Sequence, residues 1–327
     1  MKKQNFLGTV VLASCLIVLL MVASISYAAN PNEPTKPNPL KPVQAVNIEL
    51  VRKISVKGPG GPPIQPPGRD KKGKSKSTAT GILGAEATGT RYAIIVGISD
   101  YPGTANDLQY CDDDARDMKD ALISSYGFAE GNIQTFIDVE GEGAVNATRT
   151  NILNTISELQ GRANENDEIV FFFSGHGMRG IAGDGDKERV DESIVVHDGE
   201  EIVPIWDGEL RDAFAGFATS RIIFVFDSCL AGGMKKDLGG EGRVIAMAST
   251  ESGFSYELSA LENGEFTYYF AEEGILLGQA NIHDYDNDAL LKESNQVTVE
   301  EAFDYAVANC DNDKPTIGDY FENDLLP

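Results

Sequence analysis

From residue 91 onward the chain switches repeatedly between two rhythms. RYAIIVGI, EIVFFF, RIIFVFD and RVIAMA are short unbroken apolar runs, too brief for helices and without the alternating polar positions of a half-exposed strand, so they read as strands buried on both faces. NIQTFID reads as a further strand and ESIVVHD as a short strand or hairpin arm. Between them lie helical patterns: CDDDARDMKDALISSYGF, stopped by Tyr-Gly; TRTNILNTISELQGRA, with Ile152, Ile156 and Leu159 on one side; and WDGELRDAFAGF. Two more helices are expected at GEFTYYFAEEGILLG and VTVEEAFDYAVAN. This alternation predicts an α/β fold with a mainly parallel sheet covered by helices, and in such sheets reactive groups collect at the carboxyl ends of the strands.

The first ninety residues follow another pattern. Lys2 and Lys3 precede a charge-free apolar stretch from Phe6 to about Ala23, and Ser26-Tyr27-Ala28 offers small residues where a signal peptidase reads. Export with cleavage after Ala28 is the first reading. Two others stand beside it: at roughly 20 residues the stretch is long enough to stay as a membrane anchor, and Leu12-Ala13-Ser14-Cys15 resembles a lipid-attachment signal. Residues 29–88 read as a Pro/Gly-rich basic linker or propeptide, with PNEPTKPNPLKP, GPGGPPIQPPG and the basic run RDKKGKSKS, and little apolar periodicity outside Val43 to Val56. That leaves 89–327 as the folded domain.

Composition sharpens the picture. At 42% hydrophobic residues the 327-residue chain supports a real core, and its net charge is −24. Most of the acid follows residue 90, while the linker is basic. Such a domain repels nucleic acid and favours cationic partners, including metal ions, basic peptides or its own linker; plain solubility explains much of the surface charge equally well. Any membrane contact would come through an uncleaved N-terminal segment. Once a signal is removed, Cys111, Cys229 and Cys310 remain, an odd number, so at least one thiol is free or pairs with another molecule.

Two strands end in chemistry. EIVFFF runs into Ser174-Gly175-His176-Gly177, and RIIFVF runs into Asp227-Ser228-Cys229. If these strands are neighbours, an imidazole and a thiol meet at one sheet edge, which is what cysteine catalysis needs: a thiolate nucleophile and a base for its proton. The glycines leave open backbone, so the N–H groups of Gly177 and Cys229 are candidates for an oxyanion site. A buried structural thiol and a turn histidine are the plain alternatives when each motif is taken singly.

These motifs, with the opening RYAIIVGISDY and LQYCDDDARDM and the closing KPTIGDYFENDLL, resemble the caspase-like cysteine peptidases, and the metacaspase and prokaryotic branch more than animal caspases, over roughly Arg91 to Pro327. The resemblance implies a caspase-hemoglobinase fold with a six-stranded sheet, His176 as base and Cys229 as nucleophile. It also implies selection of Arg or Lys on the amino side of the cleaved bond (P1). Asp227 stands where animal caspases have glutamine, and Cys111 to Asp114 matches the Cys-x-x-Asp pattern carrying the second acid of the pocket. Two carboxylates facing one pocket repel unless a cation separates them. Asp114 is otherwise one member of a solvated acidic run with Asp112 and Asp113.

No cofactor is needed for this chemistry, but calcium is an expected activator. Asp191 and Glu192 of VDESIV resemble the family's ligand pair, and Asp184 and Asp186 in the preceding acidic loop add oxygen donors. A second acidic stretch, with Asp284, Asp286 and Asp288, has Ala289 and Asn295 where an EF-hand needs glycine and glutamate, and reads as a solvated loop. His197 and His283 lack partners at zinc spacing and receive no role. Lys235, Lys236 and Arg243, and the stretch from Arg69 to Lys76, are candidate self-processing sites, and the basic linker is expected to occupy the acidic cleft until cut; a plain spacer fits its composition too. A catalytically silent scaffold, a calcium-binding module, or a peptidase of other P1 preference remain as alternatives.

Overall fold

A computed structural model describes residues 42–57, 78–139, 141, 146–185, 188–282 and 296–327. Numbered in chain order, the strands are β1 (Ala45–Val51), β2 (Ile54–Val56), β3 (Arg91–Ile98), β4 (Ile133–Asp138), β5 (Glu168–Ser174), β6 (Gly177–Ala182), β7 (Asp191–His197), β8 (Ile202–Trp206), β9 (Ile222–Asp227), β10 (Arg243–Met247), β11 (Tyr256–Leu258), β12 (Asn263–Gly264) and β13 (Thr316–Asp319). The main helices are α1 (Cys111–Tyr126), α2 (Arg149–Gln160) and α3 (Asp207–Phe214), followed by the short α4 (Lys235–Leu238). A wide-turn helix at Tyr268–Leu276 and a final helix at Val299–Asn309 complete one flank.

The central sheet has six strands in the order β13-β10-β9-β5-β3-β4. All are parallel except β13, which closes one edge antiparallel to β10. The unbroken apolar runs are explained by strand alternation. Phe171 and Phe173 of β5 pack with Phe224 and Phe226 of β9 on the face covered by α2 and α3. Phe172, Val225 and Ile223 point into the opposite layer, under α1, the Tyr268–Leu276 helix and the last helix. Each phenylalanine so buried contributes about 2–3 kcal/mol. The fold class is therefore the expected one, an α/β sandwich around a mainly parallel six-stranded sheet.

Two small sheets sit beside the main one. The first, in the order β1-β6-β7-β8, is antiparallel and grows out of the hairpin that follows β5; ESIVVHD is its β7. The second joins β12, β11 and β2, with β2 parallel to β11. The segment carrying β1 and β2, expected as linker, is thus a strap laid across two sheets. Its sequence disguises this because its pairing is mostly backbone: Val51 and Lys53 are buried, whereas Val46, Ile48 and Val56 stay exposed. A second piece of the same region is docked as well, the N–H groups of Thr80 and Gly81 donating to the Asp324 carboxylate at 2.7 Å each. Among the described residues no helix is long and apolar enough to cross a membrane. The N-terminal apolar segment and the basic stretch from Arg69 to Lys76 lie outside the described residues.

Candidate active site

β5 and β9 are adjacent and parallel, with Ser174 opposite Asp227. Two residues further along each strand come His176 and Cys229, so the register brings these two positions to the same carboxyl edge, where both side chains meet the Arg52–Lys53 segment. The fit is close. A Cβ on Gly177 would run into the Cys229 carbonyl oxygen, which is why glycine follows the histidine. Beyond Cys229 the chain turns sharply through Leu230, a non-glycine residue in the left-handed region (φ 65°).

His176 is held from three directions. Its Nε2 lies 2.7 Å from the Asn106 carbonyl, its backbone N–H donates to the Tyr101 hydroxyl at 3.1 Å, and the Tyr101 ring lies 4.7 Å from the imidazole. The Tyr101 hydroxyl in turn donates to the Val195 carbonyl. Nδ1 accepts from the Lys53 backbone N–H at 3.0 Å, which places the ring proton on Nε2 and the lone pair on the cleft side. Burial, reinforced by the charges of Arg52 and Lys53, pushes His176 down to about 4. The Cys229 thiol donates to the Arg52 carbonyl at 3.3 Å and its sulfur accepts from the Ser255 N–H at 3.2 Å. Burial pushes that thiol up to about 12. Both groups are therefore neutral with the strap in place.

Beneath the pair lies a fully buried acidic pocket, and Lys53 fills it. Its Nζ lies 2.7 Å from Asp227 Oδ1 and 3.3 Å from Asp114 Oδ2, and it donates to Ser174 Oγ at 3.1 Å. Cys111 forms the wall, its Sγ 3.9 Å from the ammonium. Asp227 is fixed by the Ser255 hydroxyl at 2.6 Å and by the Thr267 hydroxyl at 2.7 Å and N–H at 3.1 Å. Asp114 accepts from Ser174 Oγ at 2.5 Å and from the Gly264 N–H at 2.7 Å. Burial works against the Lys53 charge, but Asp227 and its neighbours outweigh it and hold the ammonium well above the ordinary lysine range. Burial raises Asp114 to about 7, against the pull of Lys53 and with the push of Asp227. One cation thus holds two carboxylates together, Asp227 the closer. The solvated reading of Asp114 is excluded: it is 0% exposed, unlike Asp113, whose side chain is 44% exposed.

The calcium candidates divide. Carboxylate oxygens of Asp184 and Asp191 come within 4.8 Å of one another and of Asp207, all three residues buried. Burial, with Asp237, Glu192 and Asp184 nearby, raises Asp207 to about 9. A buried all-carboxylate group with this excess of negative charge suits a hard cation. Glu192 does not join it. As the next residue on β7 it faces the other way, against Gly233 and 3.9 Å from Lys236 Nζ. Asp186, His283 and the stretch from Asp284 to Asn295 lie outside the described residues. A second buried acidic group, Glu265 with Asp313, serves the fold: its oxygens accept the backbone N–H groups of Tyr256, Phe266, Asp311, Asn312 and Asp313. His197 pairs with Asp138 at 3.1 Å. Lys235 and Lys236 lie in α4, where Lys236 bridges Glu188 and Glu251 at 2.9 and 2.6 Å.

Several functional positions carry little signal in the sequence and were missed there. Tyr101 and Asn106 orient the histidine, Ser174, Ser255, Thr267 and Gly264 build the pocket, and Asp207 completes the acidic group. Lys53 has the plainest signal: Arg-Lys between apolar residues in ELVRKISV, inside the one part of the linker with apolar spacing.

The parallel sheet carrying Cys229 and His176 above a two-carboxylate pocket is the arrangement expected from the resemblance to caspase-like peptidases. Residues 91–237 match the family model of the metacaspase, peptidase C14 domain. Metacaspase-4 of Arabidopsis thaliana is 36% identical over 148 residues, 44% of this chain and 34% of that protein. Metacaspase-1 of Schizosaccharomyces pombe is 33% identical over 148 residues, 44% of this chain and 35% of that protein. The match therefore spans about a third of these relatives' length. A solved structure of a protein from Geobacter sulfurreducens aligns with a TM-score of 0.48 and 16% identity, covering 72% of this chain and 95% of that one; a likeness at that level carries no weight for function.

Proposed function

We propose that this protein is an exported cysteine endopeptidase that cleaves peptide bonds after lysine or arginine and rests in a self-blocked state. The observation that supports it best is Lys53, fully buried with its ammonium between Asp227 and Asp114 directly under His176 and Cys229. A basic side chain of a substrate would make the same contacts.

With the strap displaced, water re-enters and the thiol pKa falls toward its ordinary value. The thiol proton passes to Nδ1 of His176, whose Nε2–H stays on the Asn106 carbonyl. The thiolate adds to the P1 carbonyl carbon, and the N–H groups of Gly177 and Cys229 receive the oxyanion. Collapse returns the proton from imidazolium to the leaving amine, and water, deprotonated by the same imidazole, releases the acyl group from sulfur. A divalent cation at Asp184, Asp191 and Asp207 would neutralise their mutual repulsion and fix the loop that precedes β7, which is the basis for calcium activation. Arg211 links that loop to α4, donating to the Asp184 carbonyl at 3.0 Å and pairing with Asp237 at 2.5 Å. Self-processing at Lys235 or Lys236 requires this helical turn to unwind into an extended chain first. The N-terminal apolar segment is the feature that supports export.

The test is hydrolysis of fluorogenic peptides ending in Lys, Arg or Asp by the full chain, by Lys53→Ala and by Cys229→Ala, with and without calcium. Cleavage after Lys and Arg that is stronger in Lys53→Ala and absent in Cys229→Ala is expected. A Lys53→Ala protein that is folded and cuts none of them would return the chain to the scaffold reading.

A further inference from the structure

On the proposed peptidase activity, which the inference presupposes, a chain cut after its pocket residue must bring that residue's own carbonyl carbon to the sulfur, with the peptide bond on its carboxyl side over the dyad. The strap fills the pocket with Lys53 but meets the dyad with the wrong peptide bond. The carbonyl at Cys229 is that of Arg52, one residue early, and it presents its oxygen to Sγ at 3.3 Å as a hydrogen-bond acceptor. In that geometry the carbonyl carbon lies farther from sulfur than the oxygen does, whereas attack needs the carbon. Nδ1 of His176, which has to take the thiol proton, already accepts from the Lys53 N–H at 3.0 Å. The nitrogen of the next bond, that of Ile54, donates to the Ser255 carbonyl at 2.9 Å, away from the imidazole that would have to protonate it.

Chain direction accounts for all three. The amino side of Lys53 lies over the dyad, and its carboxyl side leaves along β11 in parallel register, Ile54 opposite Tyr256 and Val56 opposite Leu258. Both ends are pinned, since β1 pairs antiparallel with β6 up to Val51 opposite Gly177. Sliding the strap by one residue would bring the Lys53 carbonyl forward only by turning every side chain to the opposite face and pulling Lys53 out of its pocket. We infer that the Ala45–Val56 strap is an inhibitor bound in the direction opposite to a substrate, so that the site it fills does not cleave it: pocket recognition is kept and bond presentation is reversed. The enzyme is then released by displacement of the strap rather than by a cut beside Lys53.

The test uses full-length wild-type protein and Cys229→Ala at nanomolar concentration with calcium, the amino termini followed by mass spectrometry. Lys53→Ala and Lys53→Met are assayed alongside on a peptide ending in Lys, the methionine variant keeping the buried apolar stem in case alanine fails to fold. The expected result is a wild-type chain intact at Arg52–Lys53 and Lys53–Ile54, and at least a tenfold rise in hydrolysis with either Lys53 variant. A new amino terminus at Lys53 or Ile54, formed at a rate independent of protein concentration and absent from Cys229→Ala, would show a substrate in place of an inhibitor and overturn the inference. Equal hydrolysis by wild type and both folded variants would overturn it too, by showing that the strap does not block. Failure of every chain to hydrolyse Lys or Arg peptides would instead remove the peptidase reading beneath it.

Discussion

The blocked state makes a chemical prediction about Cys229 that needs no substrate. An ordinary cysteine titrates near 8.5, so at pH 7.5 about one thiol in ten is thiolate. With its pKa pushed up to about 12 by burial, Cys229 has about one thiolate in thirty thousand at that pH, and alkylation by iodoacetamide is expected to be about 10³-fold slower than for a small thiol. The value is a floor for the effect, because the residue is also only 1% exposed. Quantitative mass spectrometry of the peptide containing Cys229 gives the rate, with buried Cys310 as an internal control in the same chain. The rate should climb about tenfold per pH unit up to at least pH 9.5 without levelling. Lys53→Ala should bring Cys229 to within about tenfold of a free thiol while Cys310 stays unreactive. A wild-type Cys229 that reacts within tenfold of a free thiol at pH 7.5, or levels off near pH 8.5, would refute the argument that the strap holds the nucleophile protonated.

In a Lys53→Ala background, Asp227→Asn is expected to lower kcat/KM for Lys and Arg peptides about 10- to 100-fold, since a hydrogen bond to a charged group contributes about 1.5–3 kcal/mol; an unchanged constant would exclude Asp227 from the pocket. In the same Lys53→Ala background, Gly264→Ala puts a methyl group against both carboxylates where the Lys53 ammonium otherwise sits, and overpacking of about 1–3 kcal/mol should appear as a loss of basic-peptide hydrolysis of similar size. Calcium at about a hundred times its dissociation constant should raise the melting temperature by about 5–10 °C, and Asp191→Asn should abolish the shift; a shift that survives the substitution places the cation elsewhere. His176 is held down to about 4 by burial, so its contribution to the closed state is complete above pH 6.5 and is lost as pH falls from 6.5 toward 4. Its size is about 3 kcal/mol, and His176→Asn should flatten the melting profile over that window.

Legibility in the sequence depends on where the signal lives. Phe171, Phe172 and Phe173 announce a strand with two buried faces, and the equivalent run at Ile222–Phe226 announces its neighbour; two such strands ending in His176 and Cys229 make the dyad readable from the chain alone. Asp114 is harder, because three consecutive aspartates at a helix start look alike and only the rotation of α1 decides that Asp114 and Asp112 turn inward while Asp113 stays half exposed. Asp191 and Glu192 look like one ligand pair, but neighbours on a strand face opposite ways, and Asp207 enters from the next helix instead. The strap reads as linker because its strands are held by backbone ladders supplied by β6 and β11, and a ladder leaves no mark on side-chain hydropathy. Gly264 is silent for the same reason: its function is the absence of a side chain at a place known only once the pocket is built.

On the proposed specificity, the pocket and the strap cannot be tuned independently from the domain side. Asp227 and Asp114 bind Lys53 through the atoms that would bind a substrate's lysine, so any change that strengthens recognition of basic peptides strengthens the block by a similar factor, and any that weakens it opens a site that binds less well. The strap has the advantage of being tethered, which turns binding into an intramolecular event at an effective concentration in the millimolar range; a substrate present at micromolar levels must compete against that. Selective adjustment is therefore left to features that only the strap possesses: the pairing of β1 with β6, the Arg52 contact to Asn106 Oδ1 at 2.8 Å, and the Ser55 hydroxyl bond to Glu257. Substitutions at these positions change the closed population while leaving the substrate's own contacts in place, and the reversed direction of the strap makes this separation possible, because a chain that need not present a scissile bond can be held by ladders that a substrate does not use.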